Sequence, residues 1–392
     1  MSDNRLAKLR KAVSQLRRPA KMTDRAMDLT DLLGRPAVQL DTPELQRFLA
    51  QKLVLVTGAG GSIGSEICRQ SMKFCPRRMI LLEQAENNLF EIDRELRQRW
   101  VGADIVPVIA DISDAARIER VFADLQPQVV FHCAAHKHVP MMEHNPGEAI
   151  KNNVIGTKIV ADAALANSAA AFVMVSTDKA VNPTSVMGAS KRCAELYIQS
   201  LNESDQTRFV AVRFGNVLGS SGSVVPIFRK QIADGGPVTV THPDMKRYFM
   251  TISEASQLVM QAGAIGQGGE IFVLDMGEPM RILDLAKEMI RRCGLEPETD
   301  IAIEFTGIRP GEKLYEELSA ANEQIRPTAH EKINVWQLPM ATVRQSEQMI
   351  QRLSVAINSP RAAVISALQQ CVPEYQPTEA GQTFKLRLAD AA

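Results

Sequence analysis

From Lys52 onward, short apolar runs alternate with longer stretches in which apolar residues recur at helical spacing. This is the pattern of βαβ units around a parallel sheet, because each buried strand needs a crossover helix before the next parallel one. The predicted strands are Leu53–Thr57, Met79–Glu83, Ile105–Ile109, Val129–His132, Phe172–Ser176 and Phe209–Arg213. Their largely apolar, often β-branched character suits strands covered on both faces. Pro107 interrupts the third strand, which suits the edge place that the usual doubly wound strand order gives it. The expected fold class is α/β, a doubly wound parallel sheet of the Rossmann type with a smaller C-terminal lobe. That lobe begins near residue 216, where Gly219, Gly222, Gly235 and Gly236 interrupt shorter elements. The organisation expected is 1–50 as an N-terminal helical appendage, 51–215 as a dinucleotide-binding domain, 216–340 as the second lobe and 341–392 as a C-terminal appendage. The boundary at 216 is approximate, since the apolar run Glu270–Leu274 could return to either sheet.

Composition narrows the function classes more than the fold. Lys and Arg total 45, as do Asp and Glu, so the net charge is zero and no global field draws nucleic acid. Any phosphate must be held locally. The cysteines Cys68, Cys75, Cys133, Cys193, Cys293 and Cys371 are scattered, with no CxxC or His–Cys cluster, so no metal is expected and a reducing cytoplasm fits. No apolar run reaches the roughly 18 residues of a membrane span, and the N-terminus lacks a signal-peptide core. Instead Leu6, Leu9, Val13 and Leu16 recur at helical spacing among Arg5, Lys8, Arg10, Lys11, Arg17 and Arg18. Such a basic amphipathic helix could make weak contact with an anionic membrane surface or dock on the protein's own body.

Candidate chemistry begins in the segment Val54-Leu-Val-Thr-Gly-Ala-Gly-Gly-Ser-Ile-Gly64, between a predicted strand and a predicted helix. Gly58 permits the tight turn, Gly61 lets backbone approach a pyrophosphate, and Gly64 allows close helix-to-strand packing. Glu83 ends the second strand about twenty residues on, where a carboxylate accepts from the adenosine ribose and repels a 2′-phosphate. NAD is therefore expected over NADP, although Arg77 and Arg78 stand close by in sequence. Asp111 either meets the adenine or caps the helix starting near Ser113.

The fifth strand runs into Val175-Ser-Thr-Asp-Lys179, and Lys191 follows within Met187-Gly-Ala-Ser-Lys191. Reactive groups in an open α/β sheet sit at the carboxyl ends of strands, which is where Thr177, Asp178 and Lys179 fall. Alone, the tripeptide could equally be a solvated loop and a helix cap. Together with Ala134-Ala-His-Lys-His-Val-Pro140, Asn152-Asn-Val-Ile-Gly-Thr157, Arg213-Phe-Gly-Asn-Val-Leu-Gly219 and Arg309-Pro-Gly-Glu-Lys313, the arrangement resembles the extended short-chain dehydrogenases. More narrowly, it resembles the UDP-N-acetylglucosamine 4,6-dehydratases of bacterial polysaccharide biosynthesis, over roughly residues 29 to 340. Met187 stands where the superfamily has its catalytic Tyr, and a thioether has no proton to exchange. In this the chain resembles the longer, membrane-anchored branch, of which it would be a soluble form retaining only the segment around Asp31–Arg35.

The resemblance implies an NAD-dependent lyase acting on a UDP-sugar. Asp178 would be the general acid at C6 and Lys179 the base at C5, the first with a raised and the second with a lowered pKa. Thr177 would bond the 4-hydroxyl, with Lys191 on the nicotinamide ribose and Met187 silent. Further cofactor contacts are implied at Ser62, Ile63, Ile112, Ala134, Ala135 and Asn153. For the nucleotide-sugar, Asn216, the loop through Val225, Arg247 and Arg309 are candidates at the diphosphate, Glu312 at the uridine ribose, and Lys137 and His138 at the sugar. His138 could equally be structural. A 4-epimerase or dehydrogenase shares fold and cofactor but has no use for an acid and base aimed at C5 and C6. A silent NAD-binding scaffold is the reading that Met187 leaves open. A homo-oligomer is expected, since exposed apolar helices in this fold class often pair.

Overall fold

The computed structural model describes residues 43–203, 206–318, 325–336 and 341–378. The amphipathic stretch Leu6–Leu16 and the segment Asp31–Arg35 lie outside them, as do residues 379–392.

Six parallel strands are β1 (Leu53–Thr57), β2 (Arg78–Glu83), β3 (Ile105–Ile109), β4 (Val129–His132), β5 (Ala171–Val175) and β6 (Arg208–Arg213). Each predicted strand is present; β5 is shifted back by one residue and β2 and β6 begin one residue earlier. Ser176 falls just past β5, where its N–H still donates to the Val212 carbonyl at 2.7 Å. The run at 270–274 has a clear fate: Ile271–Leu274 forms β7, parallel to β6. Two antiparallel strands, β8 (Ile325–Pro327) and β9 (Ile333–Trp336), extend that side to give the order 8-9-7-6-5-4-1-2-3. β3 is the edge strand, and Pro107 sits within it opposite Leu81.

The crossover helices are α1 (Pro43–Leu49) ahead of β1, α2 (Ser62–Met72), α3 (Glu86–Arg99), α4 (Ala115–Leu125), α5 (Thr157–Ala166) and α6 (Val186–Ser200). α4 shows why these boundaries fall where they do. Asp114 accepts from the Arg117 N–H at 3.1 Å as N-cap, and Gln126 stops the helix in the left-handed region at φ 43°. Ahead of α5 the chain widens into a π-helical turn, Ile150–Gly156, a geometry that often marks functional positions.

The sheet separates two cores, one containing Leu55, Val130, Phe172 and Phe209, the other Val54, Val56, Phe131 and Val173. Each side chain so buried contributes roughly 1.5–3 kcal/mol. The second lobe has its own core. It is built by α7 (Val224–Ala233), α9 (Ile282–Arg292) and the parallel pair Val238–Val240 with Ile303–Phe305, around Phe228, Leu285 and Met289. Between them the chain recrosses: α8 (Ile252–Ile265) packs on α2 and α1. The stretch set apart as a C-terminal appendage supplies α10 (Val343–Ala356) and α11 (Arg361–Cys371). Their Leu353, Val364 and Leu368 share the core cluster of Met187 and Cys193, and the Ser200 hydroxyl donates to Ser346 Oγ at 2.7 Å.

Candidate active site

The loop between β1 and α2 has the shape its glycines predict. Gly58 has φ +64°, and a Cβ there would lie 2.8 Å from the Ala134 nitrogen. At Gly64 a Cβ would stand 2.1 Å from the Gly58 carbonyl oxygen, so only hydrogen lets α2 close onto the turn. Gly61 is the N-cap of α2 and brings no side chain to its first turn, leaving first-turn N–H groups for an anion. Glu83 lies beside this loop. Its Oε2 accepts from the Gly60 N–H at 3.1 Å, and its Oε1 accepts from Gln84 and Ala85 at 3.0 and 3.1 Å. With two acceptor sites per oxygen, Oε2 keeps capacity for one hydroxyl donor. These features fit a dinucleotide that carries no 2′-phosphate.

Around the loop, Ser62 Oγ accepts from the Ser221 N–H at 3.0 Å, drawing the second lobe's loop onto the start of α2. Ile63 packs against the core beneath it, and Ile112 is buried against Gly156. Asp111 needs a correction to its helix-cap alternative. It accepts from the N–H and hydroxyl of Ser113, both at 2.8 Å, while the cap of α4 is Asp114. The Ala134 N–H donates to Thr57 Oγ1 at 3.2 Å, and Ala135 is half-buried beside it. Asn153, in the π-helical turn, accepts from the His136 N–H at 2.8 Å and donates to the His136 carbonyl and Ser190 Oγ, both at 3.0 Å. His132 bridges Thr57 and Thr157 at 2.8 and 2.9 Å; burial, aided by the Lys191 charge, lowers its pKa to about 3. It is a neutral structural histidine.

The second half of the site is the carboxyl edge of β5. Thr177 caps a short 3₁₀ turn, Asp178–Ala180, accepting from the Lys179 N–H at 3.3 Å and donating its own hydroxyl to Asp178 Oδ1 at 2.9 Å. Asp178 is 1% exposed, and its Oδ2 is buried without a hydrogen-bond partner among the described residues. Lys179 Nζ lies 3.0 Å from Asp178 Oδ1, 3.3 Å from Asn216 Oδ1 and 3.3 Å from Glu316 Oε1. Burial works against its charge, yet Asp178 and Glu316 together outweigh burial and raise its pKa. The lowered value expected of a base is thus not found in this arrangement, because two carboxylates face the ammonium.

Helix α6 abuts this turn. A Cβ on Gly188 would meet the Lys179 carbonyl oxygen at 2.1 Å, so Gly188 permits the contact. Met187 is buried at the start of α6, in the main core cluster. Lys191 is 4% exposed; burial, partly countered by Glu195, lowers its pKa to about 8. Behind the edge lies a charged network that motif reading did not single out. Glu195 Oε1 accepts from the Ser176 hydroxyl at 2.6 Å and Arg213 Nε at 2.7 Å, and Oε2 accepts from Arg213 and Arg192. The available signal was an arginine ending an apolar strand and a glutamate one turn beyond Lys191.

The substrate-side residues divide. Arg247 is buried and committed to protein: its terminal nitrogens donate to the carbonyls of Lys246, Lys313 and Leu314, and its Nε is 3.5 Å from Glu316. This corrects the expectation of a guanidinium open to phosphate. Val225 is 1% exposed in the second lobe's core. Arg309 is exposed and pairs with Glu312 on the same turn. Lys137 donates to the Ser221 carbonyl at 2.8 Å, and Gly222 leaves room for the exposed His138 ring. A surface cleft of about 450 Å³, lined in part by Lys246, Met280 and Tyr315, shares no residue with the Thr177–Lys179 edge. Buried charge, rather than cleft size, marks the site. Among the described residues no His, Cys, Asp and Glu cluster could hold a metal, and no helix is long and apolar enough to cross a membrane.

Known proteins resemble this chain over most of its length. The chain is 60% identical over 309 residues to the capsular polysaccharide biosynthesis protein CapD of Staphylococcus aureus, covering 78% of this chain and 51% of that one. The chain thus spans about half the length of this relative and of the probable polysaccharide biosynthesis protein EpsC of Bacillus subtilis. At 33% identity it resembles both a Campylobacter jejuni UDP-N-acetylglucosamine 4,6-dehydratase (inverting) and a Rickettsia bellii UDP-glucose 4-epimerase. The matches cover 70% and 75% of this chain and 79% and 84% of those. Among solved structures, Pen from Bacillus thuringiensis superposes with a TM-score of 0.69 at 36% identity, covering 75% of this chain and 89% of that one. A family model described as polysaccharide biosynthesis protein matches residues 54–338, so the chain belongs to the polysaccharide biosynthesis protein family within the extended short-chain dehydrogenase superfamily.

Proposed function

We propose that this chain is an NAD-dependent 4,6-dehydratase of UDP-N-acetylglucosamine, releasing a UDP-linked 4-keto-6-deoxy N-acetyl sugar. The observation that carries this reading is the Asp178–Lys179 pair at the end of β5, with a buried Asp178 oxygen that has no hydrogen-bond partner among the described residues. NAD supplies hydride acceptance at sugar C4 and hydride return at C6. The residues' work is to bind, orient and move protons. Thr177 Oγ1 turns from Asp178 to the 4-hydroxyl, and Lys191 holds the nicotinamide ribose, carrying positive charge below about pH 8. Thr177 with Lys191 or a water takes the 4-hydroxyl proton in place of the missing Tyr.

Elimination follows from the same turn. Lys179 removes the proton at C5, made acidic by the adjacent ketone, while Asp178 protonates the C6 hydroxyl so that it leaves as water. Asp178 and Glu316 favour the charged form of Lys179, so substrate must draw one proton from it before it can act as a base. Glu83 at the glycine loop favours NAD over NADP. Arg309 and Glu312 would release each other to take the diphosphate and uridine ribose, with Lys137, His138 and Asn216 at the sugar.

Incubation with UDP-N-acetylglucosamine tests the proposal: a product lighter by one water supports it, and a mass-neutral change at C4 supports the 4-epimerase reading instead. The Met-for-Tyr resemblance implies retention at C5, whereas the Campylobacter relative is named as inverting. NMR of the product decides between them. The oligomeric state is a separate expectation, checked by light scattering.

A further inference from the structure

Glu316 lies outside every motif that pointed to this site, yet it reaches the centre of it. It follows the Arg309–Glu312 turn, its side chain is 2% exposed, and its Oε1 lies 3.3 Å from Lys179 Nζ and 3.5 Å from Arg247 Nε. Its Oε2 is buried without a hydrogen-bond partner among the described residues. Arg247, through the carbonyls of Lys313 and Leu314, anchors the segment that carries Glu316. We propose that Glu316 is a positioning residue: it holds the Lys179 ammonium beside Asp178 and controls how readily that amine releases its proton. The inference rests on the dehydratase reading only for its catalytic meaning.

Lys179 is faced by Asp178 on its own turn, by Glu316, by Arg247 and by the neutral amide of Asn216. Transfer of one proton from Lys179 Nζ to Asp178 Oδ1, 3.0 Å away, breaks an N–H bond and forms an O–H bond. The products are a neutral amine and a neutral acid, the two forms that elimination requires, and no charge leaves the pair. A second carboxylate 3.3 Å from the amine stabilises the ammonium and opposes that transfer. Arg247 offsets part of this opposition. Gly188 lets α6 lie close against the Lys179 carbonyl, which places the Lys179 backbone beside that helix.

The test reads the amine directly. NAD-loaded protein is treated with acetic anhydride over a pH series, and acetylation of Lys179 is measured by mass spectrometry against the exposed Lys230 as internal reference. In Glu316→Gln, Lys179 becomes reactive at lower pH than in the wild type, so the Lys179-to-Lys230 ratio at neutral pH rises several-fold. Glu316→Asp, with its carboxylate retracted by one methylene, moves the curve the same way by less. An unchanged curve in folded Glu316→Gln overturns the proposal; if that variant does not fold, an unchanged curve in Glu316→Asp does so. Turnover is not read, so failure to dehydrate UDP-N-acetylglucosamine would sink the proposed function and leave this measurement standing.

Discussion

Two buried charged clusters lie on either side of the end of β5, and they differ in how completely their acceptors are used. Behind the strand, both oxygens of Glu195 are taken by Ser176, Arg213 and Arg192. Arg213 also stacks 3.8 Å from the Trp336 ring. In front of it, Asp178 Oδ2 and Glu316 Oε2 are buried without hydrogen-bond partners among the described residues. A satisfied network fixes geometry, whereas a buried acceptor without a partner carries a cost that calls for an explanation, a catalytic or ligand-binding role being one. Under the proposed function the rear cluster is scaffold and the front cluster the reaction centre, separated in sequence by one residue, Thr177.

The sharpest way to break this contrast is to remove function at the front without removing stability. Asp178→Asn and Lys179→Met should each lower turnover by about 10²- to 10⁴-fold, as loss of a general acid or base does. NAD binding by fluorescence titration should be unchanged in both, and full turnover by either would end the assignment. The rear cluster should behave in the opposite way. Glu195→Ala strands two buried arginines and should cost about 3–5 kcal/mol in urea unfolding.

A pH series sharpens the same distinction. Burial leaves Lys191 with a pKa of about 8, so its charge on the cofactor side is lost as pH rises through that value. The Kd for NAD should rise there, and Lys191→Arg should flatten the rise. Stability has the other sign. From about 8 to 10.5 the unfolded chain holds a proton that the folded chain has released, so this group adds stability as pH increases. The smallest effect belongs to Ser176→Ala, which removes one of several donors to Glu195 and should cost about 1 kcal/mol. The pH profile should not move.

Much of the fold was legible because strand burial writes itself as apolar runs, although the edge strand β3 leaves Pro107 and Ile109 exposed. All six predicted strands, the edge position of β3 and the roles of Gly58 and Gly64 follow from such local patterns. The tail was harder. α10 and α11 looked like an appendage because their apolar faces have meaning only against α6, a partner more than a hundred residues away in sequence. Charged residues were harder still. Arg247 and Glu316 both look like surface residues in sequence, and burial made one a backbone anchor and the other a neighbour of Lys179. Asp111 and Asp114 are equally good caps by type, and three-dimensional placement chose the second.

By itself the sequence determined the parallel sheet, the glycine loop with Glu83 beside it, and the Thr177–Asp178–Lys179 edge, since each depends on residues near one another along the chain. Only the tertiary structure decided the protonation bias of Lys179, which depends on a carboxylate delivered from residue 316. It also decided which buried charges are saturated and which remain open. Charge interactions act through space and depend on burial, and neither distance nor burial is written in the order of the residues.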